Sequence, residues 1–270
     1  MRYMNRGKIQ HKYVRTGDDL ISYYAGDGDF STGILFIHGA AGDSRIFHHQ
    51  LRHFSDKYRT AALDLQGHGK SGADKLPSKE DYLRAVSAVA EDLGCDRLIL
   101  AGHSMGGGLA LECVIGKLFP VSALLMISAG DRFPVDPLLL DLVVKDMHGF
   151  IDLLVSRSFT KKSELIANMA KRALTETTGA IINNDLNICL AMNYSSASTA
   201  VDIPALIISN SDDEVLASDI SRSLSERIPG ARYIEFESRG HLPFFENREE
   251  FNSALDQFIA DMDLGALSKV

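Results

Sequence analysis

Three residue types that together carry out nucleophilic acyl substitution stand in this chain in the order serine, aspartate, histidine. Ser104 is the centre of Gly102-His103-Ser104-Met105-Gly106, a G-x-S-x-G pattern that lifts a serine oxygen above a sheet when it follows a strand and opens a helix. A serine hydroxyl is a weak nucleophile at neutral pH, so it needs a base within hydrogen-bond reach and an acid to orient that base. Asp213 in "PALIISNSDDEVL" and His241 in "ESRGHLPFFENREEF" supply the pair. Asp212 is the neighbouring carboxylate, but the register counted from Pro204 favours Asp213. In a chain with 22 glycines the pattern is weak by itself, and its setting has to carry it.

That setting is an alternation of short apolar runs with longer helical patterns. Residues 33–39, 58–64, 97–102, 121–128, 204–210 and 231–237 read as strands, and 78–93, 104–118, 217–228 and 246–262 read as helices. The alternation predicts an α/β fold with a mostly parallel sheet, and the unbroken apolar character of several strands predicts burial on both faces. Residues before Gly33 read as a two-stranded hairpin. Ser104 then lies between a strand and a helix, Asp213 just past a strand, and His241 in the loop after the last one. All three belong at the carboxyl edge, where open parallel sheets bind ligands. The tight turn forces Ser104 into an unfavourable backbone conformation that requires room at Gly102 and Gly106, and the helix it opens favours developing negative charge there.

Residues 131–200 break the rhythm. They open with "DRFPVDP" and continue through amphipathic segments at 138–147, 150–159, 164–174 and 181–192 without a good strand. The expectation is a helical lid inserted after the sixth strand, over a core made of residues 1–130 and 201–270. Phe133, Met147, Phe150, Leu154 and Met192 in the lid, with Leu242 beside His241, are the candidate substrate contacts, and Phe159 and Met169 are further apolar lid residues. Arg157, Lys161, Lys162 and Arg172 are read as a solvated helix face rather than as an attractor of anions. His38 and His103 are expected to brace the loops by hydrogen bonds, His48, His49 and His53 to form a helix surface, and Cys113 to be a packed thiol.

Five motifs in order resemble those of the α/β-hydrolase fold superfamily: "LFIHGAAG", "ALDLQGHGKSG", "AGHSMGGG", "IPALIISNSDDEVL" and "GHLPFFENREEF". The resemblance covers nearly the whole chain except the lid. It implies Ser104 as nucleophile, His241 as base, Asp213 as orienting acid, and the backbone N–H groups of Ala40 and Met105 as the oxyanion hole. Some relatives carry the acid near the position of Asp131. The chain departs from the family pattern at Asn210, where glycine is usual, and at Gln66, where arginine is usual.

Composition narrows the classes. The 270 residues are 45% apolar and 24% charged, as in an ordinary globular domain, and a net charge of −8 argues against a nucleic-acid partner. No run approaches a membrane span, there is no apolar leader, and Cys95, Cys113 and Cys189 are scattered, which together predict a cytoplasmic protein without a disulfide framework, a monomer or homodimer. No histidine or carboxylate grouping has metal spacing, and neither metal nor cofactor is expected. The leading expectation is a hydrolase of a small, mainly apolar carboxylic ester acting through an acyl-enzyme. C–C bond hydrolysis of ring-cleavage products, enol-lactone hydrolysis, thioester hydrolysis and perhydrolysis are the alternatives within the resemblance, the first two suiting the histidine segment and chain length as well as an esterase does, and a small-ligand receptor that kept the fold is the alternative outside catalysis. A serine nucleophile does not fit the dehalogenation or epoxide opening found on this fold, which use a carboxylate.

Overall fold

In the strand Thr32–Ile37 every side chain is buried, with Ile34 and Phe36 facing one way and Leu35 and Ile37 the other. This is what an apolar run without polar alternation requires: cover on both faces of the sheet. The structure, a computed structural model, describes residues 8–160 and 176–267. The strands are β1 (Ile9–Thr16), β2 (Asp19–Gly26), β3 (Thr32–Ile37), β4 (Arg59–Leu63), β5 (Arg97–His103), β6 (Ala123–Ile127), β7 (Ala205–Asn210) and β8 (Arg232–Phe236). They form one sheet in the order β1-β2-β4-β3-β5-β6-β7-β8. β1 and β2 make the expected hairpin, β2 runs antiparallel to β4, and every other pairing is parallel.

Among the described residues the helices of seven residues or more are, in chain order, α1 (His48–Phe54), α2 (Lys79–Leu93), α3 (Met105–Ile115), α4 (Pro137–Lys145), α5 (Met147–Ser158), α6 (Gly179–Ala191), α7 (Ser218–Arg227) and α8 (Arg248–Leu267), with a single turn at Pro243–Glu246 ahead of α8. Tyr82, Val86, Leu109 and Leu224 of α2, α3 and α7 join one core layer, while Leu51, Phe54, Phe251 and Leu255 of α1 and α8 join the layer on the opposite face. Local chemistry sets their starts: Ser78 and Asp81 form a reciprocal capping box on α2, and Gly94, at φ 57°, ends it. His48, His49 and His53 are exposed on α1, and Cys113 is fully buried in α3.

Between β6 and β7 the chain leaves the sheet and forms α4, α5 and α6, each capped by a side chain: Asp136 ahead of Pro137, Asp146, and Thr178. The two ends of this insertion meet at a neck where Arg132 bridges Asn193 and the Tyr194 N–H donates to the Asp131 carbonyl at 2.7 Å. Leu139, Val143, Phe150, Ile151, Val155, Ile182 and Leu186 form the insertion's own cluster, which also takes in Ala41 from the loop after β3. The expected segment at 164–174, with Lys161, Lys162, Met169 and Arg172, lies outside the described residues. Among the described residues, no helix is long and apolar enough to cross a membrane.

Candidate active site

β5 ends at His103 and α3 begins at Met105, so Ser104 alone makes the turn between them, at φ 51° and ψ −122°. A non-glycine residue with that φ costs about 1–3 kcal/mol and persists only where its surroundings enforce it. Here the enforcement is close packing. A methyl group on Gly102 would stand 2.2 Å from the Gly106 carbonyl oxygen, and one on Gly106 would stand 2.4 Å from the Ile37 carbonyl oxygen. Gly102 is therefore demanded by the folding of the turn back onto the start of α3, and Gly106 by the close approach of that helix to the end of β3. The Ser104 N–H donates to the Ile127 carbonyl at 2.9 Å, which ties the turn to β6 as well.

His241 and Asp213 meet. His241 Nδ1 lies 2.8 Å from Asp213 Oδ2, while Asp213 Oδ1 accepts from the N–H groups of Val215 and Leu216, each at 2.9 Å. Both carboxylate oxygens are engaged, so Nδ1 carries the ring proton and Nε2 is left with its lone pair. Asp212 is exposed and accepts from the Ser211 hydroxyl, and Asp131 is buried against the Arg227 guanidinium; neither reaches His241. The His241 backbone is held on both sides. Its N–H donates to the Ser158 carbonyl of α5 at 2.9 Å, and its carbonyl accepts from His103 Nε2 and Ser128 Oγ, both at 2.9 Å. Asn210 Nδ2 donates to Ser128 Oγ at 2.7 Å, so the departure from the family glycine adds a link to the chain that fixes His241. Gln66 turns to α2, donating to the Asp81 carbonyl at 3.0 Å. Ser104 and His241 line one cavity, and among the described residues no hydrogen bond joins Ser104 Oγ to the ring; such contacts commonly tighten when substrate binds.

The loop after β3 passes beside Ser104: a methyl on Gly39 would lie 3.0 Å from Ser104 Cβ. The Gly39 carbonyl accepts from His38 Nδ1 at 2.8 Å and from the Gly42 N–H at 3.1 Å. Because a peptide is planar and trans, holding that oxygen aims the Ala40 N–H the opposite way. Neither the Ala40 nor the Met105 N–H donates to a loop or cap hydrogen bond among the described residues.

Three buried histidines around this loop differ in charge, and their partners say why. His38 offers Nδ1–H to Gly39 and accepts the Leu65 N–H on Nε2 at 3.0 Å, an arrangement only the neutral ring satisfies. Burial, with the charge of His68 beside it, pushes its pKa down to about 4. Burial and then His241 push His103 well below the ordinary value. His68 faces acceptors on both nitrogens, the Gln66 carbonyl at 3.1 Å and Asp185 Oδ2 at 2.8 Å. Burial alone would lower its pKa, but Asp185 raises it above the ordinary value. The two lowered groups contribute stability in full above pH 6.5 and lose it as pH falls towards 4, whereas the His68 contribution is complete below 6.5 and fades as pH rises through its raised value. The melting temperature is therefore expected to fall on the order of 5 °C or more between pH 6.5 and 4, and His38→Gln to flatten that slope in a thermal-shift titration. An unchanged slope in the variant would remove His38 from the account.

The cavity above Ser104 has a volume of about 450 Å³. Of the residues expected to contact substrate, Phe133, Phe150, Leu154 and Leu242 line it. Met147 and Met192 do not. Met147 packs within the insertion against the start of α6, and Met192 is buried in the main core with its sulfur against Gly108 of α3. Helical spacing marked both as inward-facing without specifying the surface they meet. Arg157 is also corrected: it is three-quarters buried at the cavity wall, and its Nη1 donates to Asp136 Oδ2 at 2.7 Å. Asp185 of α6, absent from the sequence reading, is fully buried behind the loop after β3. Its signal was an acid on the stripe formed by Ile181, Ile182 and Cys189. Among the described residues no group of three or more histidine, cysteine or carboxylate side chains could hold a metal ion.

Comparison with known proteins agrees with this architecture. Residues 34–254 match the model of the alpha/beta hydrolase family. The chain is 24% identical over 273 residues to an AB hydrolase superfamily protein, YisY, of Bacillus subtilis, covering 91% of this chain and 98% of that one. It is 25% identical over 275 residues to a 2-hydroxy-6-oxononadienedioate/2-hydroxy-6-oxononatrienedioate hydrolase of Pseudomonas, covering 94% and 92%. The crystal structure of an enol-lactonase from Burkholderia xenovorans superposes with a TM-score of 0.85 at 20% identity, over 92% of this chain and 100% of that one.

Proposed function

Because this chain belongs to the alpha/beta hydrolase family, we propose that it is a serine hydrolase of small, neutral, mainly apolar carboxylic esters. The observation that carries the reading is the strained Ser104 turn, opening into an apolar cavity that it shares with His241, whose ring is held from behind by Asp213. His241 Nε2 takes the Ser104 proton as Oγ attacks the ester carbonyl, and the N–H groups of Ala40 and Met105 receive the resulting oxyanion. Collapse expels the alcohol, which takes the proton back from His241. Water, activated by the same nitrogen, then releases the acid from Ser104 and restores the hydroxyl.

Charge supports the neutral substrate. Among the described residues the charged side chains lining the cavity are Asp136, Glu214 and Arg157, two carboxylates against one guanidinium. The guanidinium is already paired with Asp136, whose carboxyl is held below its ordinary value first by the Leu138 N–H and then by Arg157. A substrate with a carboxylate of its own, such as a dioate, meets no uncommitted cation there. Labelling with a fluorophosphonate probe, together with p-nitrophenyl esters of increasing acyl length, tests the proposal: Ser104-dependent labelling and turnover of short neutral esters are expected. Absence of both would leave the receptor reading standing, while labelling without ester turnover would favour C–C hydrolysis. Asp136→Asn keeps a helix-capping group but frees Arg157, and it is expected to raise kcat/KM for the p-nitrophenyl monoester of succinic acid about tenfold relative to the butyrate ester. No change in that ratio would show that the pair does not govern acyl charge.

A further inference from the structure

Asp185 is the point where the inserted helices grip the catalytic edge of the sheet. Its Oδ1 accepts from the Tyr82 hydroxyl at 2.7 Å, and its Oδ2 accepts from His68 Nε2 at 2.8 Å and from the Ala41 N–H at 3.1 Å. Asp185, His68 and Ala41 are all within 1% of complete burial. One side chain of α6 thus reaches α2, the turn after β4 and the loop after β3. A carboxylate in such a place costs several kcal/mol to desolvate, and replacing the cluster by apolar residues is commonly neutral or better for stability. Stability alone is a poor account of it.

The Ala41 contact has a specific geometric consequence. Ala41 is a non-glycine residue at φ 60°, a conformation that costs about 1–2 kcal/mol and relaxes unless it is held. The peptide that precedes Ala40 is fixed through the Gly39 carbonyl by His38 and Gly42, and the peptide that follows Ala40 is fixed through the Ala41 N–H by Asp185. Ala40 sits between two pinned planes, and its own N–H is aimed as a result. His38 supplies one of these anchors from the sheet and Asp185 the other from the insertion.

We propose that Asp185 is a positioning residue for the oxyanion-binding N–H of Ala40, so that docking of the inserted helices and assembly of the oxyanion site are one event. The inference rests on the reading of Ser104 as nucleophile given above. His68 contributes as the hydrogen-bonded partner that keeps Asp185 oriented towards the loop, and the Tyr82 hydroxyl closes the remaining oxygen. Residues of the insertion therefore take part in transition-state stabilisation without touching substrate.

The test is steady-state kinetics on p-nitrophenyl butyrate with active sites counted by end-point fluorophosphonate titration, beside inhibition by a trifluoromethyl ketone, which mimics the tetrahedral adduct, and by butyrate, which does not. Asp185→Ala is expected to lower kcat about 30-fold or more per titrated site, with KM within about threefold. Trifluoromethyl ketone affinity should fall in parallel and butyrate affinity should hold, since misplacing one oxyanion donor costs this order of rate. Asp185→Ser, one bond too short to reach Ala41 but still polar, is expected to behave the same way and serves if the alanine variant does not fold. Asp185→Asn, whose oxygen can still accept from Ala41 and His68 while its amide turns to Tyr82, is expected to restore kcat to within about fivefold of the parent. A folded alanine or serine variant with unaltered kcat and ketone affinity would overturn the inference while leaving the nucleophile reading intact. A parent protein that shows no Ser104-dependent labelling would overturn both.

Discussion

Ser104→Ala is expected to lower kcat/KM for a short p-nitrophenyl ester by about 10⁴-fold or more and to abolish fluorophosphonate labelling, with no loss of folded protein. The size follows from what is removed. On the proposed mechanism, removing Oγ leaves no covalent intermediate, and only the oxyanion donors and the shape of the cavity remain to favour attack by water. The stability side of the same site gives a second readout. Ser104 is held at φ 51° by packing against β3 and β6, and an alanine inherits that strain while a glycine does not. Ser104→Gly is therefore expected to be as inactive as the alanine variant but to melt higher, because about 1–3 kcal/mol of relieved strain outweighs the entropic cost of glycine, about 0.5–1 kcal/mol. A serine placed in such a conformation for packing alone would show the gain in stability without the loss of labelling.

Asp213→Asn is the second large effect. The two backbone N–H groups of Val215 and Leu216 both need an acceptor, and the asparagine oxygen is the one that can serve them. Its amide nitrogen is then turned towards His241 Nδ1, where a donor already stands. The ring can answer only by moving its proton to Nε2, the nitrogen that must accept from Ser104. The loss expected in kcat is about 10³- to 10⁴-fold at neutral pH, with KM little changed and substrate still bound in the cavity. A loss of less than about tenfold would show that His241 reaches its working tautomer without Asp213, and would reopen the choice of acid. Asp212→Asn is the companion measurement, and since Asp212 is exposed and makes its contact with Ser211, it should be close to silent.

What sequence alone made legible follows the range of the forces involved. Strands buried on both faces write themselves as apolar runs, so β3 to β7 were readable to within a residue or two at most ends, while β8, half-exposed at the edge of the sheet, was read from its alternation. The placement of Ser104, Asp213 and His241 at the carboxyl edge was readable because each stands at a short distance from the end of a strand. α1 was harder: in "HHQLRHF" three histidines of middling helix propensity dilute the pattern, and only their exposure as a group hinted at a helical surface. The partners of Asp185 at Ala41, His68 and Tyr82 are separated from it by 144, 117 and 103 residues, and no local pattern encodes such a meeting. Met147 and Met192 failed for a related reason: periodicity reports that a side chain is inward, and the identity of the inside depends on how helices are docked. Arg157 was misread because an ion pair with Asp136, 21 residues earlier, lets a cation line an apolar wall.

The neck at Arg132 and Asn193 has a consequence for how such a protein changes over time. Since the chain departs and returns at adjacent points, everything between them behaves as a cassette, and exchanging it alters little of the loop-closure entropy that the core has to supply. Among the described residues, two of the contacts a transplanted cassette has to reproduce bear on the site: an acceptor for the His241 N–H, met here by the Ser158 carbonyl, and an acceptor for the Ala41 N–H, met here by Asp185. On the reading proposed above, exchange of the insertion rebuilds the cavity wall while these two sockets keep His241 and the loop after β3 in place.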